Sequence, residues 1–307
     1  MNEDQLTTLL FDLLTAIVVF GVPWRLWRWW HGRRQMWKYP LAALAALGWL
    51  VVVYGSFVAP RILVTTTVPI NLRDASATAP ARTMTVALVS DTHFGFFQST
   101  RWAEQITSRI QRLSPDAVIF AGDIVSNDAG LMAIPAFKPL SAPLGKYAIL
   151  GNWDYHIGAV DVRKKMGSAG VKTLVNRAVP LAPASTAGAA SLYLVGLDDL
   201  FYGTADWTKA LAAVPPGAPW IAAVHEPEGA LWASHFGARL VLSGHTHGGQ
   251  VVLPVLGAVA AQKFPVVAGI GRRERTTLFV SRGVGTIYVP VRINCPPEVA
   301  LLTLQPA

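Results

Sequence analysis

A chain of 307 residues, 52% hydrophobic and 14% charged, is long enough for one or two domains with a large core and is more apolar than a freely soluble protein requires. Its one cysteine, Cys295, excludes an internal disulfide framework and a cysteine-rich zinc site. The net charge of +8 would suit a nucleic-acid partner, but Arg25, Arg28, Arg33, Arg34 and Lys38 crowd between two apolar segments near the amino terminus, and no nucleic-acid partner is expected.

Leu6 to Val22 is apolar apart from Asp12, and Leu41 to Ala59 carries no charge. About 20 apolar residues cross a bilayer, so residues 1–60 read as a membrane anchor with transmembrane candidates at 6–22 and 41–59. The run from Trp24 to Tyr39 between them interleaves tryptophan with arginine, as expected at a cytoplasmic headgroup layer. If both segments span, or only the second, the rest of the chain lies outside the cell membrane. A loose twin-arginine export signal at Arg33-Arg34-Gln35-Met36-Trp37-Lys38 would deliver it to the same side. The expected location is therefore a bacterial inner membrane, with the main domain on its extracytoplasmic face. Residues 61–83 lack a sustained period and read as a linker, and residues 84–307 as the main domain.

Five apolar runs in that domain read as buried strands, and each ends on a side chain able to bind a metal. Thr85 to Ser90 leads to Asp91-Thr92-His93, Ala117 to Phe120 to Gly122-Asp123, and Tyr147 to Leu150 to Gly151-Asn152-Trp153-Asp154. Trp220 to Val224 leads to His225, and Ala238 to Leu242 to Gly244-His245-Thr246-His247-Gly248-Gly249. Gly-Asp or Asn after a strand is ordinarily a turn. Turn chemistry alone, however, would not select histidine three times at strand ends, and the carboxyl ends of α/β strands are where sites collect. Carboxylate and amide oxygens combined with imidazoles, without thiolates, suit Mn²⁺, Fe²⁺ or Zn²⁺.

Asp-x-His, Gly-Asp, Gly-Asn-x-Asp, a lone His and Gly-His-x-His in this order resemble the calcineurin-like metallophosphoesterase family over about residues 84 to 305. Leu278 to Gly285 and Arg292 to Glu298 resemble its bacterial membrane-associated or exported branch. The resemblance implies an α/β four-layer sandwich, two central β-sheets flanked by helices, here preceded by one or two transmembrane helices. It also implies two divalent metal ions, the first held by Asp91, His93, Asp123 and His247 and the second by Asp123, Asn152, His225 and His245, with Asp123 bridging. A shared carboxylate can hold two cations about 3.5–4 Å apart, close enough for a bridging water to be activated for in-line attack on phosphorus.

One position departs from the family pattern. The family usually carries histidine where this chain has Trp153, whose indole can offer a hydrogen bond but no acidic proton. His156 is a candidate replacement acid, the alternative being an ordinary loop histidine. A substrate with a good leaving group, such as a diester or pyrophosphate, would need that proton least.

Between the site segments, Val160 to Gly167 reads as a helix, Leu192 to Leu197 as a core strand, and Asp198-Asp199 as a turn or as partners of a ligand imidazole. The apolar run Val251 to Ala260, followed by Lys263 and Arg272-Arg273-Glu274-Arg275, has two readings. One is a core strand and a solvated hairpin. The other is a lip at the membrane interface that places Arg272 and Arg273 on substrate phosphate, with a phospholipid as possible substrate. The expected function is a membrane-anchored, binuclear metal-dependent phosphohydrolase with no protein partner implied. Alternatives are an enzyme resembling UDP-2,3-diacylglucosamine pyrophosphatase and a catalytically weak metal-binding or partner-binding module.

Overall fold

The computed structural model describes residues 9, 12–31, 38–72, 83–182 and 191–305. Residues 33–37 of the twin-arginine motif therefore lie outside the described residues, as do residues 32–37 of the basic run, whose first part, Trp24 to Trp30, is helical.

The amino-terminal region is a pair of antiparallel helices. Residues 12–30 are helical and end in α1 (Val22–Trp30), and α2 (Lys38–Val53) continues through a π-helical turn, Tyr54–Val58, and a short Ala59–Arg61 turn. Trp30 packs on Tyr39 at one end, with ring centroids 5.0 Å apart, while Leu14 and Val18 line one groove with Val52 and Phe57 at the other. Tyr39–Arg61 is the one helix among the described residues that is long and apolar enough to cross a membrane, at 23 residues and mean hydropathy 2.1 over its most apolar window.

Two six-stranded sheets follow. The first has the order β1 (Val64–Asn71), β12 (Glu298–Gln305), β2 (Met84–Val89), β3 (Ala117–Ala121), β4 (Lys146–Ile149), β5 (Lys172–Thr173). The second has the order β10 (Gly269–Arg273), β11 (Thr276–Val280), β9 (Leu240–Ser243), β8 (Trp220–Ala223), β7 (Leu192–Gly196), β6 (Arg177–Ala182). Strand periodicity divides each run between two layers. Val86, Leu88, Ile119 and Ala121 face the second sheet and meet Leu194, Ile221, Leu240 and Phe279 in one core. The alternate residues Ala87, Val89, Val118 and Phe120 pack outward under α3 (Thr100–Leu113), whose buried stripe is Trp102, Ala103, Ile106 and Ile110, and under α5 (Ala159–Ser168), which buries Val162 and Met166. On the outer face of the second sheet, Val195, Ala222 and Val241 pack with Trp207 of α6 (Trp207–Leu211) and with Ala230 and Ala233 of α7 (Gly229–His235). The result is the expected helix-sheet-sheet-helix sandwich.

Two expectations change. Residues 64–71, inside the segment read as linker, form β1 and pair in parallel with β12 from Val64↔Glu298 to Asn71↔Gln305. Their side chains are mostly half exposed, the signature of an edge strand, which leaves little hydrophobic period to detect. The apolar run after the double histidine is not a core strand. It leaves the sheet as a tight hairpin closed by reciprocal Leu253 and Gly257 backbone bonds, with Val255 and Leu256 exposed.

Candidate metal centre

β2, β3 and β4 run parallel in one sheet, as do β7, β8, β9 and β11 in the other, so their carboxyl ends open on a common rim. The loops there are tied together by their backbones: Asp91 N–H donates to Gly122 O, His93 N–H to Asp123 O, and Gly244 N–H to His225 O, at 3.0–3.1 Å. Five of the site residues, Asp91, His93, Asp123, His245 and His247, have positive φ between 45° and 69°. This left-handed conformation is uncommon outside glycine and concentrates at functional sites. It turns each side chain back toward the rim directly after its strand.

The side chains form two groups that share Asp123. In one, Asp91, His93, Asp123 and His247 each present a ligand atom, and all four atoms lie within 4.8 Å of one another; Asp123, His225 and His245 do the same in the other. Asn152, first residue of α4 (Asn152–Ile157), adds its carbonyl oxygen 3.1 Å from His245 Nδ1. Asp123 Oδ2 is 3.4 Å from His93 Nε2 and 3.3 Å from His225 Nε2, and its other oxygen accepts the Trp153 N–H at 2.9 Å. The far nitrogens of two rings are fixed from behind: His93 Nδ1 bonds Ser126 Oγ at 2.9 Å, and His225 Nδ1 bonds the Ala121 carbonyl at 2.7 Å. Each pairing turns Nε2 toward Asp123, the arrangement used to orient metal-binding imidazoles.

The donors fit divalent cations. Asp91 Oδ2 and His225 Nε2 are buried without a hydrogen-bond partner, and a buried polar group left unpaired costs about 1–3 kcal/mol. A Cβ at Gly151 would stand 2.4 Å from Asp123 Oδ1 and 2.7 Å from His225 Nε2, and one at Gly244 would stand 2.5 Å from Asp91 Oδ2. Glycine at these two positions lets the backbone close over the ligand atoms.

Burial raises the Asp91 carboxyl pKa, whereas Asp123, equally buried, is held well below the usual carboxylate range by the adjacent His225, 3.3 Å away, and by His93. Burial lowers His245 to about 4 and, with the neighbouring His93, lowers His247 well below its ordinary value. These imidazoles are neutral near pH 7 and have lone pairs to give.

The other expected residues divide. Trp153 reaches the centre, its ring edge-on to His93 at 5.8 Å and 6.4 Å from Tyr288. His156 is exposed, 4.4 Å from the Tyr202 ring and 6.0 Å from Trp153, one layer outside the ligand cluster. Arg272 and Arg273 are not at the centre. β11 runs parallel to β9, so the β10–β11 turn beside them lies at the amino ends of these strands, opposite the rim that carries His245 and His247. The lip reading joined them to the apolar run by nearness in sequence, which the hairpin reverses. Asp198 and Asp199 build a turn: Asp199 Oδ1 accepts from Phe201 N–H and Tyr202 N–H, and Asp198 accepts from Thr204 N–H and the Tyr155 hydroxyl.

Sequence reading missed three supports. Asp154 accepts Ile124 N–H, Val125 N–H and Gly151 N–H, bracing the Asp123 and Asn152 loops together; burial and then the nearby Asp123 raise its pKa to about 7. Its signal is an acid at the third residue of a helix that opens on glycine. Ser126 has no motif around it. Arg292 is fully buried and donates to the carbonyls of Arg282, Gly283, Gly285 and Cys295, holding the loop that walls Asp91.

The strand-end ligand cluster on a two-sheet sandwich defines a metal-dependent phosphoesterase. Residues 84–249 match the calcineurin-like phosphoesterase family model, and the chain belongs to that family, making it a phosphoric ester hydrolase. It is similar to metallophosphoesterase YkuE of Bacillus subtilis, 31% identical over 70% of this chain and 77% of that one. It is also similar to phosphodiesterase YaeI of Escherichia coli, 29% identical over 71% of this chain and 81% of that one. A transmembrane protein with metallophosphoesterase domain from Bos taurus is 28% identical over 81% of this chain, which spans 58% of that relative's length.

Proposed function

We propose that the protein is a membrane-anchored phosphohydrolase that uses two divalent cations to cleave a phosphodiester or pyrophosphate on the extracytoplasmic face of a bacterial inner membrane. The observation that carries this reading is the sharing of Asp123 between two clusters of ligand atoms. Bound there, Mn²⁺, Fe²⁺ or Zn²⁺ would supply charge for the phosphoryl oxygens and lower the pKa of water. Asp91, His93, Asp123 and His247 would hold one ion, and Asp123, Asn152, His225 and His245 the other.

The chain's own groups set the preference among esters. Asp123 stays ionised at neutral pH and keeps its shape through the Trp153 N–H bond. Beside His93, the Trp153 indole can orient a phosphoryl oxygen but cannot protonate a leaving group. His156 stands beyond Trp153, so a leaving group of low basicity suits this cleft. That favours a diester or pyrophosphate over an alkyl monoester.

The antiparallel helix pair supports the anchor. Trp24, Trp27 and Trp30 lie exposed on α1 with Arg28 over the Trp24 ring, at the end of the pair where the basic loop connects the helices, as on a cytoplasmic surface. Turnover of bis-p-nitrophenyl phosphate by the detergent-solubilised full chain tests the activity. Mn²⁺-supported release of p-nitrophenol that stops with chelator and in Asp123→Ala is expected; turnover indifferent to both would refute the metal mechanism.

A further inference from the structure

The membrane helix is bonded to the rim of the metal centre. Arg292 N–H donates to the Gly55 carbonyl at 2.9 Å, and a Cβ at Gly55 would stand 2.9 Å from Ile293 Cγ1. Counting from Tyr39, about 20 residues of helix cross about 30 Å of hydrocarbon, which puts the outer boundary near Val58. Gly55 precedes that point by three residues, about 4.5 Å along the axis. With Tyr39 at the inner boundary, the loop from Tyr288 to Ile293 would stand at the depth of the outermost hydrocarbon.

What this loop presents is apolar. Tyr288 is 69% and Val289 39% exposed. Val289 and Val291, with Leu14, Val18, Val52 and Phe57, line a groove of about 190 Å³ between the two helices and the rim. The same loop carries the hairpin that follows the double histidine. Val252 N–H donates to Ile293 O at 3.0 Å, the Asn294 side chain donates to Val252 O, and from Val252 the chain turns out through Val255, fully exposed, and Leu256, 61% exposed. It returns with Phe264 edge-on to His245 at 5.5 Å. Apolar side chains thus run from the helix pair along the loop and hairpin to Phe264, within a ring's width of the metal ligands, with only exposed Gln262 and Lys263 between, and Trp153 and Phe201 complete an aromatic collar around the cleft. Such an edge in water would be a liability, whereas at this depth acyl chains cover it.

We infer that the Leu253–Gly257 hairpin and the Tyr288–Val291 loop insert into the outer leaflet, and that the centre takes a lipid-borne phosphoester that enters laterally from the bilayer. The inference rests on the phosphohydrolase reading and adds the substrate's form to it. The apolar groove receives hydrocarbon, the collar excludes water, and the headgroup phosphoester reaches Asp123 and its neighbours without leaving the membrane surface.

The test uses the full chain reconstituted in phosphatidylethanolamine–phosphatidylglycerol vesicles containing dioleoyl-phosphatidyl-p-nitrophenol, beside bis-p-nitrophenyl phosphate in solution. The wild type is expected to cleave both, and Val255→Asp/Leu256→Asp to lose at least tenfold on the vesicle-borne ester while keeping the soluble activity. Equal rates for variant and wild type on the vesicle ester, or cleavage of the soluble ester alone by the wild type, would overturn lateral entry and leave the phosphohydrolase standing. No cleavage of either ester would overturn both. An environment-sensitive fluorophore on Val255→Cys, quenched by doxyl-labelled lipid while the same label on exposed Val160→Cys beside the far sheet edge is not, gives the insertion directly. Equal quenching at both positions would overturn insertion.

Discussion

Nε2 of His93 and Nε2 of His247 lie 3.1 Å apart, with their rings stacked at 4.8 Å. Without a metal, one neutral ring can donate its N–H to the other across that gap, and a divalent cation held by Asp91 and Asp123 would take both lone pairs in its place. Burial and the neighbouring His93 hold His247 well below its ordinary pKa, so its imidazole is neutral and open to a cation. Mn²⁺ at one hundred times its Kd is expected to stabilise the fold by about 2.7 kcal/mol through binding the native state alone. A thermal melt of the chelated full chain with and without Mn²⁺ reads this, and coincident melts would contradict it.

Ser126 orients His93 from behind, through its Oγ 2.9 Å from Nδ1. Ser126→Ala is expected to weaken metal binding about 10- to 100-fold while leaving the ligand count intact. Metal titration monitored by activity gives the shift; recovery of full turnover at high Mn²⁺ separates a lost orienting bond from a damaged fold.

Trp153 stands edge-on to His93 at 5.8 Å, where the family usually carries histidine. Trp153→His is expected to raise turnover of an alkyl phosphomonoester about 10²- to 10⁴-fold, the usual worth of a positioned acid. Bis-p-nitrophenyl phosphate, whose leaving group needs no proton, should change little. An unchanged ratio between the two substrates would show that the indole is not where acid catalysis is missing.

Arg292 is fully buried among backbone carbonyls, and no carboxylate bonds its guanidinium among the described contacts. Arg292→Met is expected to leave several acceptors unpaired and cost at least about 3 kcal/mol. For a domain of this size that lowers Tm by about 6–12 °C. Differential scanning calorimetry of the solubilised chain checks it, and a shift under 2 °C, about 1 kcal/mol or less, would show that the loop holds itself.

The parts visible in the sequence were those with a short-range signature. β2, β3, β8 and β9 are almost wholly apolar, buried runs because both faces of their sheets are covered, β4 becomes so at Ala148 and Ile149, and every expected ligand sits within four residues of a strand's end. β1 escaped because an edge strand with half-exposed threonines has no such run. Arg272 and Arg273 were misplaced because which end of β11 they occupy depends on its parallel pairing with β9, a relation between distant segments. Positive φ at five site residues, and the grip of Arg292 on its loop, are likewise products of tertiary context that composition does not encode.

The most direct test of the central claim, one carboxylate shared by two cations, is the electron paramagnetic resonance spectrum of the full chain after chelation and reloading with Mn²⁺. The predicted result is two Mn²⁺ per chain with the multiline signature of an exchange-coupled pair, replaced in Asp123→Ala by isolated six-line Mn²⁺ or none. A wild-type spectrum of isolated ions, or one Mn²⁺ per chain at full turnover, would contradict it.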